Sequence, residues 1–227
     1  MCGRFAFYSP SEAAAALFGV SASAEVQPRY NIAPTQFIAA IRNNQDEQCE
    51  LVMLRWGLVP FWAKDPAIAN RMINARAETI TEKPSFRQSF QRRRCLIPAD
   101  GFYEWQPVQG GKQPWYIHAR EPGLLAFAGL WDCWDGGADG QLQTCTIITT
   151  AANDFMRPMH QRMPLMLARD SYSDWLAEDT ARGDLRDLLV AKSIVKLTAV
   201  SVSRKVNNPV NDEPGLIVAS DSGQPAG

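Results

Sequence analysis

The chain has 227 residues, with 46% hydrophobic and 21% charged, a balance that excludes wholesale disorder and suits one large domain. Lys+Arg 23 against Asp+Glu 24 leaves a formal charge of −1, which excludes a global basic field drawing the protein onto nucleic acid. No apolar run reaches the about 18–20 residues of a membrane span, and MCGRFAFYSP lacks the basic stretch and apolar block of a secretory signal, so a soluble, cytoplasmic protein is expected.

In chain order, the first predicted element is a helix with Ser9 as N-cap, Pro10 at its first position, Glu12 closing a capping box and Gly19 ending it. After the loop QPRYNIAPTQ, FIAAIR (37–42) and ELVMLRWGL (50–58) read as strands around the polar turn NNQDEQ. WGLVPFWAKDP is an aromatic, proline-broken loop, and SFRQSFQRRR (85–94) a short basic helix running into CLIP. GFYEW, PWYIHA, LLAFAGLW and TCTIITT are four short strands bounded by turn residues. SYSDWLAE and GDLRDLLVAK are amphipathic pieces, LTAVSV is a strand, and GLIVA is a candidate last strand. The expected fold is α+β: a single domain over residues 1–218, with a mixed or barrel-like sheet of short strands and a few flanking helices. Residues 219–227 are expected to form a flexible tail.

Arginine outnumbers lysine by 17 to 6, and cations crowd one stretch. Arg71, Arg76, Lys83, Arg87, Arg92, Arg93 and Arg94 face only Glu78 and Glu82, whereas the span from Asp170 to Asp187 is acidic. Guanidinium groups suit phosphate, and two solvated faces of opposite charge are an equal alternative. The five cysteines are odd in number, widely spaced and without a C-x-x-C pair, and with only two histidines a structural zinc site lacks ligands. A reduced compartment follows, with four of the cysteines as small buried apolar residues.

Cys2 is the exception, because loss of the preceding methionine would place an α-amine and a thiol on adjacent carbons. With reference pKa values of about 7.7–8.0 and 8.5, both are partly nucleophilic at neutral pH. The amine can condense with an aldehyde and the tethered thiol can close on the imine carbon, giving a thiazolidine. Met-Cys-Gly also begins N-terminal nucleophile hydrolases such as class II glutamine amidotransferases, a likeness that stops at Arg4; an incidental cysteine is the plain alternative. Alternation puts Glu104 on the face of Phe102, where desolvation raises a carboxyl pKa toward acid/base work, unless it faces water on an edge strand. His160, in RPMHQRMPLML, suits proton transfer, against a packing role that His118 fits better. Arg162 can hold an anion or make a surface ion pair. Asn74 offers a donor and an acceptor to a sugar oxygen and Arg76 a fork to phosphate, or else this segment is a capped helix. Trp56, Pro60, Phe61 and Trp62 form a base-stacking platform or simply core.

MCGRF, RYNIAPTQ, WGLVPFW, INARAET, CLIPADGFYEW, ITTAAN, MHQRMP and VSRKV, in that order, resemble the SRAP family (SOS-response-associated peptidase) from Cys2 to about Val218. The resemblance implies a sensor of abasic sites in single-stranded DNA or at single-strand junctions, protecting the lesion through a covalent thiazolidine crosslink. By motif it implies Cys2 as nucleophile, Asn74 orienting the substrate oxygen or the cysteine, and Glu104 and His160 moving protons. It further implies that Arg4, Arg76 and Arg162 contact phosphates. Trp62 would press on flanking bases, and Thr149, Ser203 and Arg204 would line the strand's path. A peptidase step removing Met1 and a lyase-like activity belong to the same expectation. An N-terminal-cysteine amidohydrolase and a non-covalent single-strand binder stay open beside it. None of the three calls for a metal or cofactor, and a monomer is expected.

Overall fold

The computed structural model describes residues 2–20, 26–136, 140–190 and 195–220. Its elements are β1 (Phe5–Phe7), α1 (Ser11–Phe18), β2 (Arg29–Ile32), β3 (Phe37–Asn43), β4 (Cys49–Trp56), β5 (Asn74–Arg76), α2 (Arg87–Arg92) and β6 (Arg94–Ala99). There follow β7 (Gly101–Val108), β8 (Gly111–Ala119), β9 (Leu125–Asp135), β10 (Gln141–Ala151), β11 (Arg162–Pro164), α3 (Tyr172–Leu176), α4 (Arg182–Val190) and β12 (Leu197–Ser201).

β4, β3, β6, β9 and β10 close into a five-stranded barrel. Its antiparallel pairs are sealed by one parallel pair, in which Thr144 and Cys145 of β10 meet Arg55 and Trp56 of β4. β6 is buried along its whole length, the mark of a strand covered on both faces, and that is why RCLIPA shows little alternation. β5 and β11 attach to β10 on the barrel's outer rim. The expected α+β fold with a barrel-like sheet is what the chain adopts.

A second sheet, ordered β12-β8-β7-β1-β2, grows directly from the barrel, because β6 runs into β7 through Asp100 alone. At this corner the Asp100 carboxylate accepts hydrogen bonds from the Tyr8 and Ser9 amides and from the Ser9 hydroxyl. Gly101 follows because a Cβ there would stand 2.5 Å from Tyr116 Cζ and 2.6 Å from the Ile117 carbonyl oxygen. Between the two sheets lies an aromatic chain: the Phe5 ring meets Trp56 edge-on at 5.4 Å and Phe127 at 6.1 Å, and Phe102 meets Phe127 at 5.9 Å.

Three sequence expectations are corrected. Ser9 does not cap α1: its hydroxyl is committed to Asp100, Pro10 takes the N-cap position without a side-chain bond, and the helix starts at Ser11. Gly19 does end the helix, at φ 68°, its amide bonded to the Ala15 carbonyl. GLIVA is not a strand: Pro214 starts a 3₁₀ turn over Pro214–Ile217, and Ala219 makes a lone bridge to Val202. The basic stretch is not one solvated face either. Arg94 is buried, its Nε donating to the Trp175 carbonyl at 2.6 Å and its Nη1 to those of Phe90 (2.8 Å) and Gln91 (2.6 Å). A further bond from Nη2 reaches the Ala177 carbonyl, so this one guanidinium caps the ends of α2 and α3. Burial lowers its pKa to about 10, which leaves it charged at neutral pH. Arg93 is paired with the buried Asp132. The amphipathic piece ending at 192 is helical to Val190; its last two residues and the tail from 221 lie outside the described residues.

Replacing Arg94 by methionine keeps the apolar stem but strands several carbonyls in the core. Arg94→Met is expected to lose roughly 3 kcal/mol of folding stability, read as a lower urea midpoint at unchanged slope; a wild-type midpoint would contradict the capping role.

Candidate active site

Four of the residues singled out by chemistry converge where β1, β5, β7 and the loop at residues 153–160 meet. The Phe5–Phe102 and Ala6–Gly101 register of β1 on β7 is extended by the Tyr103 amide, which donates to the Arg4 carbonyl at 2.9 Å. Continued toward the front of the chain, this antiparallel register brings Gly3 level with Glu104. Cys2 is fully buried, and the Asn74 Nδ2 on β5 donates to its carbonyl at 2.8 Å. Asn74 Oδ1 is buried and accepts no hydrogen bond among the described residues. Glu104, 3% exposed, has its Oε1 4.0 Å from Nδ1 of His160.

His160 is held from two sides. Its own amide donates to the Met156 carbonyl at 2.9 Å, in a loop started by Asn153, whose Oδ1 accepts from the Met156 amide at 3.0 Å. The ring's Nδ1 faces both backbone groups of Arg162, the amide donating to it at 2.9 Å and the carbonyl oxygen standing 3.1 Å away. The closer N–H can only donate, so a neutral ring that accepts it carries its proton on Nε2. Burial pushes the Glu104 carboxyl above the usual carboxylate range, with His160 opposing the shift. Burial, reinforced by the nearby Glu104 charge, pushes the Cys2 thiol upward as well. The pocket thus holds a protonated thiol, a carboxyl whose pKa burial raises, a half-buried imidazole and a carboxamide whose Oδ1 accepts no hydrogen bond among the described residues.

The remaining sequence candidates fall into three groups. Thr149 is buried on β10 opposite Arg76 of β5, whose own side chain is exposed, and accepts from the Ala77 amide at 2.9 Å through its carbonyl. Arg162 adjoins it, donating from Nη2 to the Thr149 carbonyl at 2.6 Å and gripping both oxygens of Glu78. Arg4 turns to the other side of β1: its Nη1 donates to Asn31 Oδ1 and to the Val206 carbonyl, both at 2.8 Å, with the guanidinium 5.8 Å from the Trp105 ring centre. Ser203 accepts from the Lys205 amide at the start of the turn Arg204–Asn207, so Ser203 and Arg204 belong to the same strap that receives Arg4. Trp62 is exposed on a loop packed beside Trp134 and Leu142, at the opposite end of β10 from Thr149, and the structure does not bring it against the Cys2 group. Trp56 is wholly buried and belongs to the core.

Two residues of this neighbourhood escaped the chemical reading of the sequence. Asn31, fully buried, accepts from Arg4 and donates to the carbonyls of Asn208 (3.1 Å) and Asn211 (2.6 Å). Glu78 passes for an ordinary surface charge. Their signal lay in the segments RYNIAPTQ and INARAET, whose polar residues recur in stretches too short to be helices. Among the described residues, no helix is long and apolar enough to cross a membrane.

The chain is 44% identical over 226 residues to the abasic site processing protein YoaM of Bacillus subtilis, covering 97% of this chain and 99% of the relative. It is 32% identical to the abasic site processing protein HMCES of Xenopus tropicalis, over 87% of this chain and 68% of that one. A crystal structure of a protein from Bacteroides thetaiotaomicron superposes with a TM-score of 0.86 at 25% identity, covering 96% of this chain and all of its own. A family profile described as SOS response associated peptidase (SRAP) matches residues 1–209, and with relatives of this identity and coverage the chain belongs to the SRAP family.

Proposed function

We propose that this protein processes abasic sites, capturing the ring-opened sugar in single-stranded DNA as a thiazolidine on Cys2 once Met1 has been removed. The observation that carries the reading is the Asn74 hydrogen bond to the Cys2 carbonyl, with buried Glu104 level with the adjoining Gly3 and His160 4.0 Å beyond Glu104. The relatives YoaM and HMCES, both abasic site processing proteins, point the same way.

The freed amine attacks the aldehyde carbon and water leaves, forming an imine. The thiol then adds across the C=N bond: sulfur bonds to carbon and the thiol proton ends on nitrogen. One water is lost overall and nothing is oxidised or reduced. The vacant Asn74 Oδ1 suits an N–H of the new amine, and Glu104 and His160 relay the protons of ring opening, dehydration and closure. An abasic site presents no base edge, so recognition falls to phosphate contacts and stacking. Arg4, Arg76, Arg162 and Arg204 are the cations for phosphate, Thr149 and Ser203 line the path, and the exposed rings of Phe61 and Trp62 offer stacking faces to more distant bases. Autocatalytic loss of Met1 and strand scission are further steps assigned to the same pocket.

Intact mass spectrometry tests the reading. Processed protein incubated with an abasic oligonucleotide is expected to gain the oligonucleotide's mass less one water, and Cys2→Ala to gain nothing. An adduct that persists in Cys2→Ala would move the chemistry elsewhere. Raised salt should slow adduct formation by counterion release and leave a formed adduct intact.

Glu104 separates catalysis from stability. With its pKa raised on folding, the folded chain keeps a proton that the unfolded chain releases, so stability falls as pH rises from the ordinary carboxylate range through the raised value. Glu104→Gln is therefore expected to be at least as stable as wild type at pH 7 in urea unfolding, while forming adduct about a hundredfold more slowly. A destabilised variant, or one of wild-type rate, would refute the assignment.

A further inference from the structure

Glu78 stands outside the four residues to which chemistry has been assigned, on the turn that follows β5. We propose that Glu78 is a positioning residue for the capture reaction, acting through Arg162 on the imidazole of His160; this rests on the abasic-site reading. Its two carboxylate oxygens accept from Arg162 Nη1 at 2.6 Å and Nη2 at 2.9 Å, a two-pronged pair with fixed geometry. The same Nη2 donates to the Thr149 carbonyl at 2.6 Å, so one guanidinium ties the turn after β5 to β10 and to the start of β11. Arg162 is also the residue whose backbone amide holds His160 Nδ1, at 2.9 Å. Anchoring the Arg162 side chain therefore helps hold both backbone groups that face Nδ1, the N–H at 2.9 Å and the carbonyl oxygen at 3.1 Å; the closer N–H places the proton on Nε2, and a shift toward the carbonyl favours the other tautomer.

The consequence is directional. With Nδ1 receiving the Arg162 amide, the neutral ring presents Nε2–H as its donor, while Glu104 lies 4.0 Å from Nδ1. Freed from Glu78, Arg162 keeps its Nη2 contacts with Thr149 but loses its two-pronged clamp, so the start of β11 is held less firmly. The His160 ring can then rotate and change tautomer, and the proton relay loses its alignment. Glu78 is half-exposed and its neutral isostere removes only a charge, so Glu78→Gln should fold. The bidentate grip leaves Nη1 a second hydrogen for a phosphate, so holding His160 does not conflict with a contact to DNA.

Two measurements test this. The chain has two histidines, and the second supplies a reference: His118 Nδ1 lies 2.8 Å from the Ala119 carbonyl and must donate to it, the opposite tautomer. Nitrogen-15 spectra of the two neutral rings should show His160 as Nε2–H in wild type and as a mixture in Glu78→Gln and Arg162→Lys, with His118 unchanged. Single-turnover adduct formation against protein concentration should show a maximal rate lowered roughly tenfold in Glu78→Gln, with the half-saturating concentration and its salt slope within about twofold of wild type. A pure Nε2–H signal in Glu78→Gln overturns the proposal. So does an unchanged maximal rate, or tighter half-saturation, which would make Glu78 a competitor of phosphate for Arg162. If wild type itself forms no adduct, the capture reading fails, whereas the spectra still decide whether Glu78 orients His160.

Discussion

Phe5–Phe7 is a strand of three residues, and the site depends on its being locked in one register. So short a strand contributes few ladder bonds, and its hold comes from pairing on both edges and from the Phe5 ring wedged against Trp56 and Phe127. A slip of one residue on β7 would turn Phe5 out of the intersheet core and invert the faces of the residues before it. The register that buries Phe5 is thus the one that sets the front of the chain level with Glu104. Core packing and the geometry of the candidate site share a single constraint, and the corner at Asp100 and Gly101 protects it by fixing where β7 leaves the barrel.

The arginines divide by what they touch. Arg94 is spent on backbone carbonyls and Arg93 on Asp132, so neither is a free phosphate ligand. Arg162 is fastened by Glu78 and Thr149 near the Cys2 group, and Arg4 by Asn31 and the Val206 carbonyl on the other side of β1. Arg76 is exposed on β5 opposite Thr149, close to Arg162. A chain of net charge −1 can in this way present a local cationic rim without a basic surface at large, which fits a ligand recognised at a few phosphates rather than along a whole duplex.

Much of this was legible in the sequence because local pattern carries it. Alternation in GFYEW did place Phe102 and Glu104 on one buried face, and turn residues did bound the barrel strands. What was hidden depended on residues distant in the chain. Barrel closure pairs Arg55 with Thr144 in parallel, and no local signal marks such a partner. Ser9 and Glu12 form a sound capping pattern that loses to Asp100, a stronger acceptor that only the folded chain brings near. Arg94 reads as surface charge in a run of arginines, because nothing nearby reveals that two helix ends will meet over it. Asn31 and Glu78 act entirely through other side chains, so their residue types alone announce no chemistry.

The burial of Cys2 bears on the order of events in the proposed capture. A thiol held protonated by burial and by a neighbouring carboxylate is a poor nucleophile at rest, and it is shielded from stray oxidants. The amine, not the sulfur, is then the group suited to meet the aldehyde first. The resulting iminium carries positive charge, and a positive charge beside Glu104 and Cys2 reverses the local electrostatics that disfavour the thiolate. Glu104 can then take the thiol proton as sulfur closes on carbon. On this account the pocket is reactive only after a carbonyl is in place, so selectivity for an aldehyde arises from the same desolvation that keeps the free thiol quiet.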